Sequence, residues 1–316
     1  MTKLHQRLRI PVFQAPMFLQ SGPAMVIASA RAGIVGCFPS VNARTLEDLD
    51  RWLDEITSSI SELDAPWAIN LMMHRSNTRR LEDLALAERY RAPIVITALG
   101  SPREAIERVH GYGGLVFADV IDLRFAAKAI EAGVDGLVLV AAGAGGHTGQ
   151  QSGFAFVEEV RRHFDGLLVL GGGISSGRAV HAAEILGADF AYMGTRFIAS
   201  EESMADPAYK QMVVDSSGAD IVCSDALTGV KANWLRESLK AAGYDPDNMP
   251  APGAINVQES AADAKRWRDV WSAGQGVGAV DDVLPIAAIV DRLEREYRRA
   301  ASLGSERPLA RIKRLG

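Results

Sequence analysis

Eight short apolar runs, separated by stretches with helical spacing, constrain the fold of this chain more than any other feature. The runs are Ile10–Ala15, Ile34–Phe38, Trp67–Met72, Ile94–Leu99, Leu115–Val120, Gly136–Ala142, Leu167–Leu170 and Phe190–Met193. Several are nearly continuous in Val, Ile and Leu. A strand with one face in water would alternate, so these read as strands covered on both faces. In Arg124–Gly133 the apolar residues Phe125, Ala126, Ala129 and Ile130 follow helical spacing, and Gly133 suits a C-terminal cap. Gly177–Gly187 repeats that design. A helix followed by Gly, a small residue and Asp precedes a strand twice, at Ala132–Asp135 and at Leu186–Asp189. Strands alternating with helices predict parallel βαβ units. The expected fold is therefore α/β, a (β/α)8 barrel of the TIM type, which 316 residues accommodate. An open doubly wound sheet is the competing arrangement.

After Phe197 the alternation stops. Residues 201–280 contain helical pieces and a Pro/Gly-rich stretch, Tyr244–Gly253. They are expected to form an insertion of helices and loops over the barrel mouth, within a single domain spanning 1–316. A closing helix is expected over Asp281–Ala300, and the arginine-rich end, Glu294–Arg314, reads as a solvated helical face.

Composition narrows the function classes. The net charge is −5 and no basic stripe appears before the tail, which argues against a nucleic-acid partner. The two cysteines, Cys37 and Cys223, offer neither a disulfide framework nor metal-ligand spacing, so no metal is expected and a reducing cytoplasm is the natural compartment. The opening residues lack the apolar core of a signal peptide. No run approaches the ~18 apolar residues a membrane helix needs. A homodimer stays open.

In a barrel of this type, active sites form from the loops after the strands, and the last two loops commonly hold phosphate. Here those loops read Gly171-Gly172-Gly173-Ile174-Ser175 and Met193-Gly194-Thr195-Arg196. Consecutive glycines let backbone N–H groups approach an anion without a Cβ in the way. Ser175 or Ser176 then opens a helix whose N-terminus favours negative charge, and Thr195 adds a hydroxyl. After the sixth run, Gly143-Ala144-Gly145-Gly146-His147-Thr148-Gly149 presents one titratable group on a glycine-rich loop suited to passing close to a flat ligand. A lone loop histidine is more often merely solvated, but the end of a barrel strand favours a role for His147. His74 could also reach the mouth, whereas His5, His110, His163 and His181 read as surface groups. Gln14-Ala15-Pro16-Met17 ends the first run and could lie against a ring system. Asn70 ends the third run, where a polar amide needs a partner.

Together, Gln14–Met17, Gly145–Gly149, Gly171–Ile174 and Met193–Phe197 resemble the nitronate monooxygenases, formerly called 2-nitropropane dioxygenases, and the related FMN-dependent enoyl-acyl carrier protein reductases. A weaker echo lies at Trp271–Gly276. The resemblance implies an FMN cofactor and oxidation of alkyl nitronates or nitroalkanes by O2 to a carbonyl compound and nitrite. It implies that Ala15, Pro16 and Met17 lie along the flavin and that Asn70 hydrogen-bonds it. Gly172, Gly173, Gly194 and Thr195 would hold its phosphate, Gly145 and Gly146 would pass beside it, and Gln275 would approach from the closing segment. His147 matches the catalytic histidine. Two departures bear on the substrate. Many members carry a basic residue near the end of the fifth strand, where this chain has Asp119, and the loop Phe18–Gly22 lacks the usual glycines. The alternative within the resemblance is an FMN-dependent, NAD(P)H-linked reductase or dehydrogenase of an enoyl or keto thioester, with Lys231 and Arg236 facing the thioester arm. A flavin-free barrel acting on a phosphorylated metabolite is a further reading, but no Lys ends a strand where a Schiff base would need it.

Overall fold

The computed structural model describes residues 4–251 and 269–306, so part of the expected insertion and of the arginine-rich end lie outside the described residues. Eight parallel strands close into a barrel: β1 (Val12–Gln14), β2 (Val35–Pro39), β3 (Trp67–Met72), β4 (Ile94–Ala98), β5 (Leu115–Val120), β6 (Gly136–Val140), β7 (Leu167–Gly171) and β8 (Phe190–Met193). Closure is made by β1 against β8, with Gln14 opposite Met193. The doubly wound alternative is thereby excluded.

The continuous apolar runs arise because each strand has two packed faces. Phe13, Cys37, Ala68, Ile96, Phe117, Val138, Val169 and Phe190 fill the barrel, with Phe13 centred 5.8 Å from Phe117 and 5.2 Å from Phe190. The opposite faces, among them Val12, Ile69, Val95 and Leu137, bury against the surrounding helices. Those helices are α1 (Pro23–Ala32), α2 (Leu46–Ser59), α3 (Arg80–Arg89), α4 (Arg103–Gly111), α5 (Leu123–Ala132), α6 (Gly153–Arg161), α7 (Gly177–Leu186) and α8 (Ile286–Glu306).

The twice-repeated Gly-x-Asp punctuation has a physical purpose at both places. Gly133 and Gly187 end α5 and α7 in the left-handed region, at φ 94° and 113°, which glycine enters without a Cβ penalty. The Asp two residues later then ties the base of the barrel. Asp135 accepts the Val116 N–H at 2.7 Å and the His110 ring at 2.8 Å. Asp189 accepts the Leu168 N–H at 2.8 Å and pairs with Arg161.

The closing helix α8 starts later than expected, at Ile286, because the Glu202 carboxylate accepts the Ile286 N–H at 3.0 Å and fixes its first turn there. It crosses α7 with no room to spare. A Cβ on Gly177 would stand 1.9 Å from the Leu293 carbonyl oxygen and 2.6 Å from the Tyr297 nitrogen. Gly177→Ala should therefore force the two helices apart and lower stability by about 2–4 kcal/mol. A urea denaturation series against the wild type measures this, and an unchanged midpoint would contradict the packing described.

The region after β8 differs from the expected helices and loops. It does contain helices, Pro207–Asp215 and Arg236–Ala241, but it also holds two antiparallel strands, Ile221–Ser224 and Ala232–Leu235. Four-residue strands such as Ile-Val-Cys-Ser and Ala-Asn-Trp-Leu are too short for a period to register. Their pairing comes from a barrel loop distant in sequence: Gly146–His147 forms the third strand, with Ala232 opposite His147 and Asn233 opposite Gly146.

Candidate active site

The loops after β1, β6, β7 and β8 meet the segment Ala273–Gly276 at one end of the barrel. The β1 loop begins with the Ala15 N–H donating to the Met193 carbonyl at 2.9 Å, which sets Ala15 beside Gly194. A Cβ on Gly194 would touch Met17 Sδ at 3.5 Å and Ala15 Cβ at 3.7 Å. Met17 is then held by a turn in which its N–H donates to Ser21 Oγ at 3.0 Å. Asn42, from the loop after β2, completes this turn. Its amide donates to the Met17 carbonyl at 3.0 Å and the Ser21 carbonyl at 2.8 Å, and accepts the Leu19 N–H at 2.9 Å. Leu19 sits at φ 64°, a conformation costing a non-glycine residue about 1–2 kcal/mol, and the Asn42 bonds offset it. Sequence reasoning missed Asn42, since a single amide in an ordinary loop gives no signal until the fold brings it to another loop.

The β7 and β8 loops bring together a set of backbone N–H donors. Gly172 and Gly173 take φ 132° and 71°, so both N–H vectors turn in a way L-residues resist. Among the described residues, no hydrogen bond engages the backbone N–H of Gly173, Ile174, Gly194 or Thr195. Ser176, not Ser175, caps α7, accepting the Ala179 N–H at 3.3 Å. The helix terminus itself is partly taken, because Gly177 donates to Glu296 Oε2 at 2.8 Å. The unengaged donors therefore lie on the glycine loops rather than at the helix end. Thr195 Oγ1 accepts the Gly274 N–H at 2.9 Å and keeps its own hydroxyl proton to donate.

The segment Ala273–Gly276 is threaded tightly between these loops. A Cβ on Gly274 would lie 2.6 Å from the Gly143 carbonyl, and one on Gly276 would lie 2.6 Å from Ser175 Oγ. The Gln275 N–H donates to Gly143 O at 2.9 Å, which sets its exposed side chain beside the β6 loop. Trp271 stacks on Tyr209 at 5.0 Å, and the Tyr209 hydroxyl donates to the Ser272 carbonyl, so the segment is anchored from the insertion.

His147 lies on the short strand that joins the β6 loop to the insertion. Thr148 N–H donates to the Lys231 carbonyl at 3.0 Å, and the Asn233 amide donates to the Ala144 carbonyl at 2.7 Å. The imidazole is open to solvent although it stands deep among the loops, as a group lining a cleft does. Partial loss of hydration there holds its pKa below the ordinary 6.5. At neutral pH it is an uncharged base.

At the top of the barrel interior, Asn70 on β3 donates to Asp119 Oδ2 on β5 at 3.2 Å. Burial pushes the Asp119 carboxyl up to about 7, against the opposing effect of the Asn70 bond.

The predicted residues thus fall into one region: Ala15, Met17, Gly194 and Thr195 on one side, Gly172 and Gly173 beside them, and Gly145, Gly146, His147 and Gln275 across the β6 loop. Pro16 lies in the same β1 loop, half-buried. Elsewhere, Lys231 pairs with Asp225 at 3.5 Å and Arg236 with Asp247 at 2.8 Å, both partly exposed. His74 bonds Ser76 in its own loop at 2.8 Å. His5 and His181 are not plain surface groups: His5 stacks on Phe190 at 4.4 Å, and His181 meets the Tyr297 ring edge-on at 5.4 Å. Among the described residues there is no metal-binding group of His, Cys, Asp and Glu, and no helix long and apolar enough to cross a membrane.

Residues 76–296 match the family model described as nitronate monooxygenase. A Mycobacterium tuberculosis protein named as a monooxygenase is 32% identical over 233 residues, covering 69% of this chain and 62% of that relative. The nitronate monooxygenase of Paraburkholderia phytofirmans is 27% identical over 348 residues, covering 92% of this chain and 93% of the relative. Among solved structures, FabK from Thermotoga maritima superposes with a TM-score of 0.81 at 23% identity, covering 97% of this chain and 99% of that one.

Proposed function

This chain belongs to the nitronate monooxygenase family, and from that premise we infer that it is an FMN-dependent oxidoreductase that oxidises alkyl nitronates with molecular oxygen to a carbonyl compound and nitrite. One observation carries the reading. The unengaged N–H groups of Gly173, Ile174, Gly194 and Thr195 form a cradle for one phosphate, with His147 on the neighbouring β6 loop. A monoester cradle beside a neutral imidazole suits a flavin mononucleotide and an acidic carbon compound.

The residues present fit that cofactor. Gly173 has open space where a Cβ would stand, and Asp119 Oδ1 and Tyr192 Oη are buried polar atoms without partners at the top of the barrel. Gly172, Gly173, Gly194 and Thr195 would hold the phosphate, Ala15 and Met17 would support the ring, and Asn70 and Gln275 would bond its edges. Bound flavin supplies the electron-accepting centre, which no side chain provides. The chain's own residues bind, orient and move protons. His147 Nε2 or Nδ1 takes the α-proton of a neutral nitroalkane, or donates to the nitro oxygens of a preformed nitronate once protonated. The antiparallel strands of the insertion pair with the strand that carries the histidine and so fix its place at the site.

Purified protein should absorb near 450 nm and consume oxygen on addition of propionate 3-nitronate, with nitrite released. No uptake above a free-flavin control would remove the nitronate reading. Rapid anaerobic bleaching by NADH or NADPH would assign the thioester reductase in its place.

A further inference from the structure

One group at the top of the barrel is used by neither the cradle nor His147. Asp119 carries a carboxyl on β5 where its Oδ2 accepts from Asn70 and its Oδ1 is buried with no partner. Tyr192, on β8, has a phenolic oxygen that is likewise buried and unpartnered. Cys37, on β2, lies close enough for Asp119 to act on it electrostatically, as does Tyr192. Two of these groups therefore carry a buried polar atom that no hydrogen bond in the described chain answers. A buried carboxylate without a cation is costly, and Asp119 has one amide donor and no ion pair among the described residues.

The geometry points to Asp119 as a positioning and proton-holding residue of the site. It orients the Asn70 amide and turns its free Oδ1 toward the ring held at the mouth, so that the ease of flavin reduction follows whether that carboxyl carries a proton. This inference rests on the flavin reading above. It places a carboxylic acid, which switches between donor and anion, near a ring that becomes negatively charged when reduced.

The direction follows from charge. With its proton, Asp119 is neutral and Oδ1 or Oδ2 can donate a hydrogen bond, which favours an anionic ring. Without it, the carboxylate repels that anion. The changeover falls at about 7, where burial has pushed the group. Burial and the Asp119 charge push Cys37 and Tyr192 up, so both remain neutral, while His147, held below 6.5, is common to wild type and Asp119→Asn, so its titration cancels in their comparison. Asn70 on β3 and Val138, opposite Asp119 on β6, do not titrate.

Sulfite, which adds to oxidised flavin and leaves the ring anionic, is the probe. Its dissociation constant is measured by flavin bleaching at about pH 6 and pH 8, for wild type, Asp119→Asn and Asp119→Glu. Wild type should lose about tenfold more affinity across that interval than Asp119→Asn, the size of a one-unit electrostatic coupling. Asp119→Glu should keep the wild-type pH dependence. Parallel behaviour of wild type and Asp119→Asn, with both holding flavin, overturns the inference and leaves the flavin reading intact. A protein that takes up no flavin overturns that reading. Asp119 is then decided by infrared titration of the apoprotein, and the absence of a protonated-carboxyl band titrating near neutral pH overturns its proton-holding role too. The same infrared titration of wild type decides the point if Asp119→Asn does not fold.

Discussion

His147→Ala should lower kcat/KM for a neutral nitroalkane by about 10²- to 10⁴-fold, the range for losing a positioned general base, while flavin content stays at the wild-type level. The histidine acts as base only when neutral. Partial desolvation lowers its pKa from the ordinary 6.5, so the competent form persists into more acidic solution than for a free imidazole. Activity on a nitroalkane should therefore hold through neutrality and fall only on an acid limb below that value. A preformed nitronate has no α-proton to lose, so the same variant should suffer a smaller loss, about tenfold, from weaker orientation. Steady-state oxygen uptake with paired nitroalkane and nitronate substrates, over a pH series, separates the two roles. An alanine variant within a factor of about three of wild type on both substrates would remove His147 from the chemistry.

The second large effect is expected at Gly173. Its Cβ position meets no neighbouring atom, so a side chain there does not disturb the packing, although φ 71° makes any L-residue strained by about 1–2 kcal/mol. Gly173→Glu places a carboxylate among the N–H groups proposed to hold the phosphate. Like charges brought together in a site cost several kcal/mol, so the FMN dissociation constant should rise by about 10²- to 10³-fold. Gly173→Ala carries the backbone strain without the charge and should weaken binding by about tenfold at most. Fluorescence titration of the apoprotein with FMN measures both, and thermal melting of the apoproteins checks that each variant folds. Equal affinities for wild type and Gly173→Glu would mean that the phosphate binds elsewhere.

The barrel was legible because its strands have two dry faces, and two dry faces leave long runs of Val, Ile and Leu such as Leu137–Val140. The glycine loop was legible for a related reason: turned backbone N–H groups demand glycine, and Gly171–Gly173 supplies three in succession at the end of a strand. The insertion resisted reading because what organises it is pairing at a distance. Nothing in Ala-Asn-Trp-Leu announces that it will lie beside His147, since that contact joins residues separated by much of the chain. Asn42 was hidden likewise, an ordinary amide whose three hydrogen bonds exist only after two loops meet. Asp119 was visible as an oddity of type. Its raised pKa comes from burial, which a sequence does not display. The ion pairs of Lys231 with Asp225 and of Arg236 with Asp247 were not legible, because the carboxylates reach them only through the fold of the insertion.

Because His147 is opposite Ala232 in one ladder, the barrel and its cover share a backbone seam there. Recombination cannot treat that cover as an exchangeable module. A graft from a relative that altered the register at Ala232 by one residue would turn the cover strand's side chains to the other face beside the imidazole. New substrate preferences in this lineage are therefore expected to arise by replacing side chains within the cover, with its edge strand kept in step.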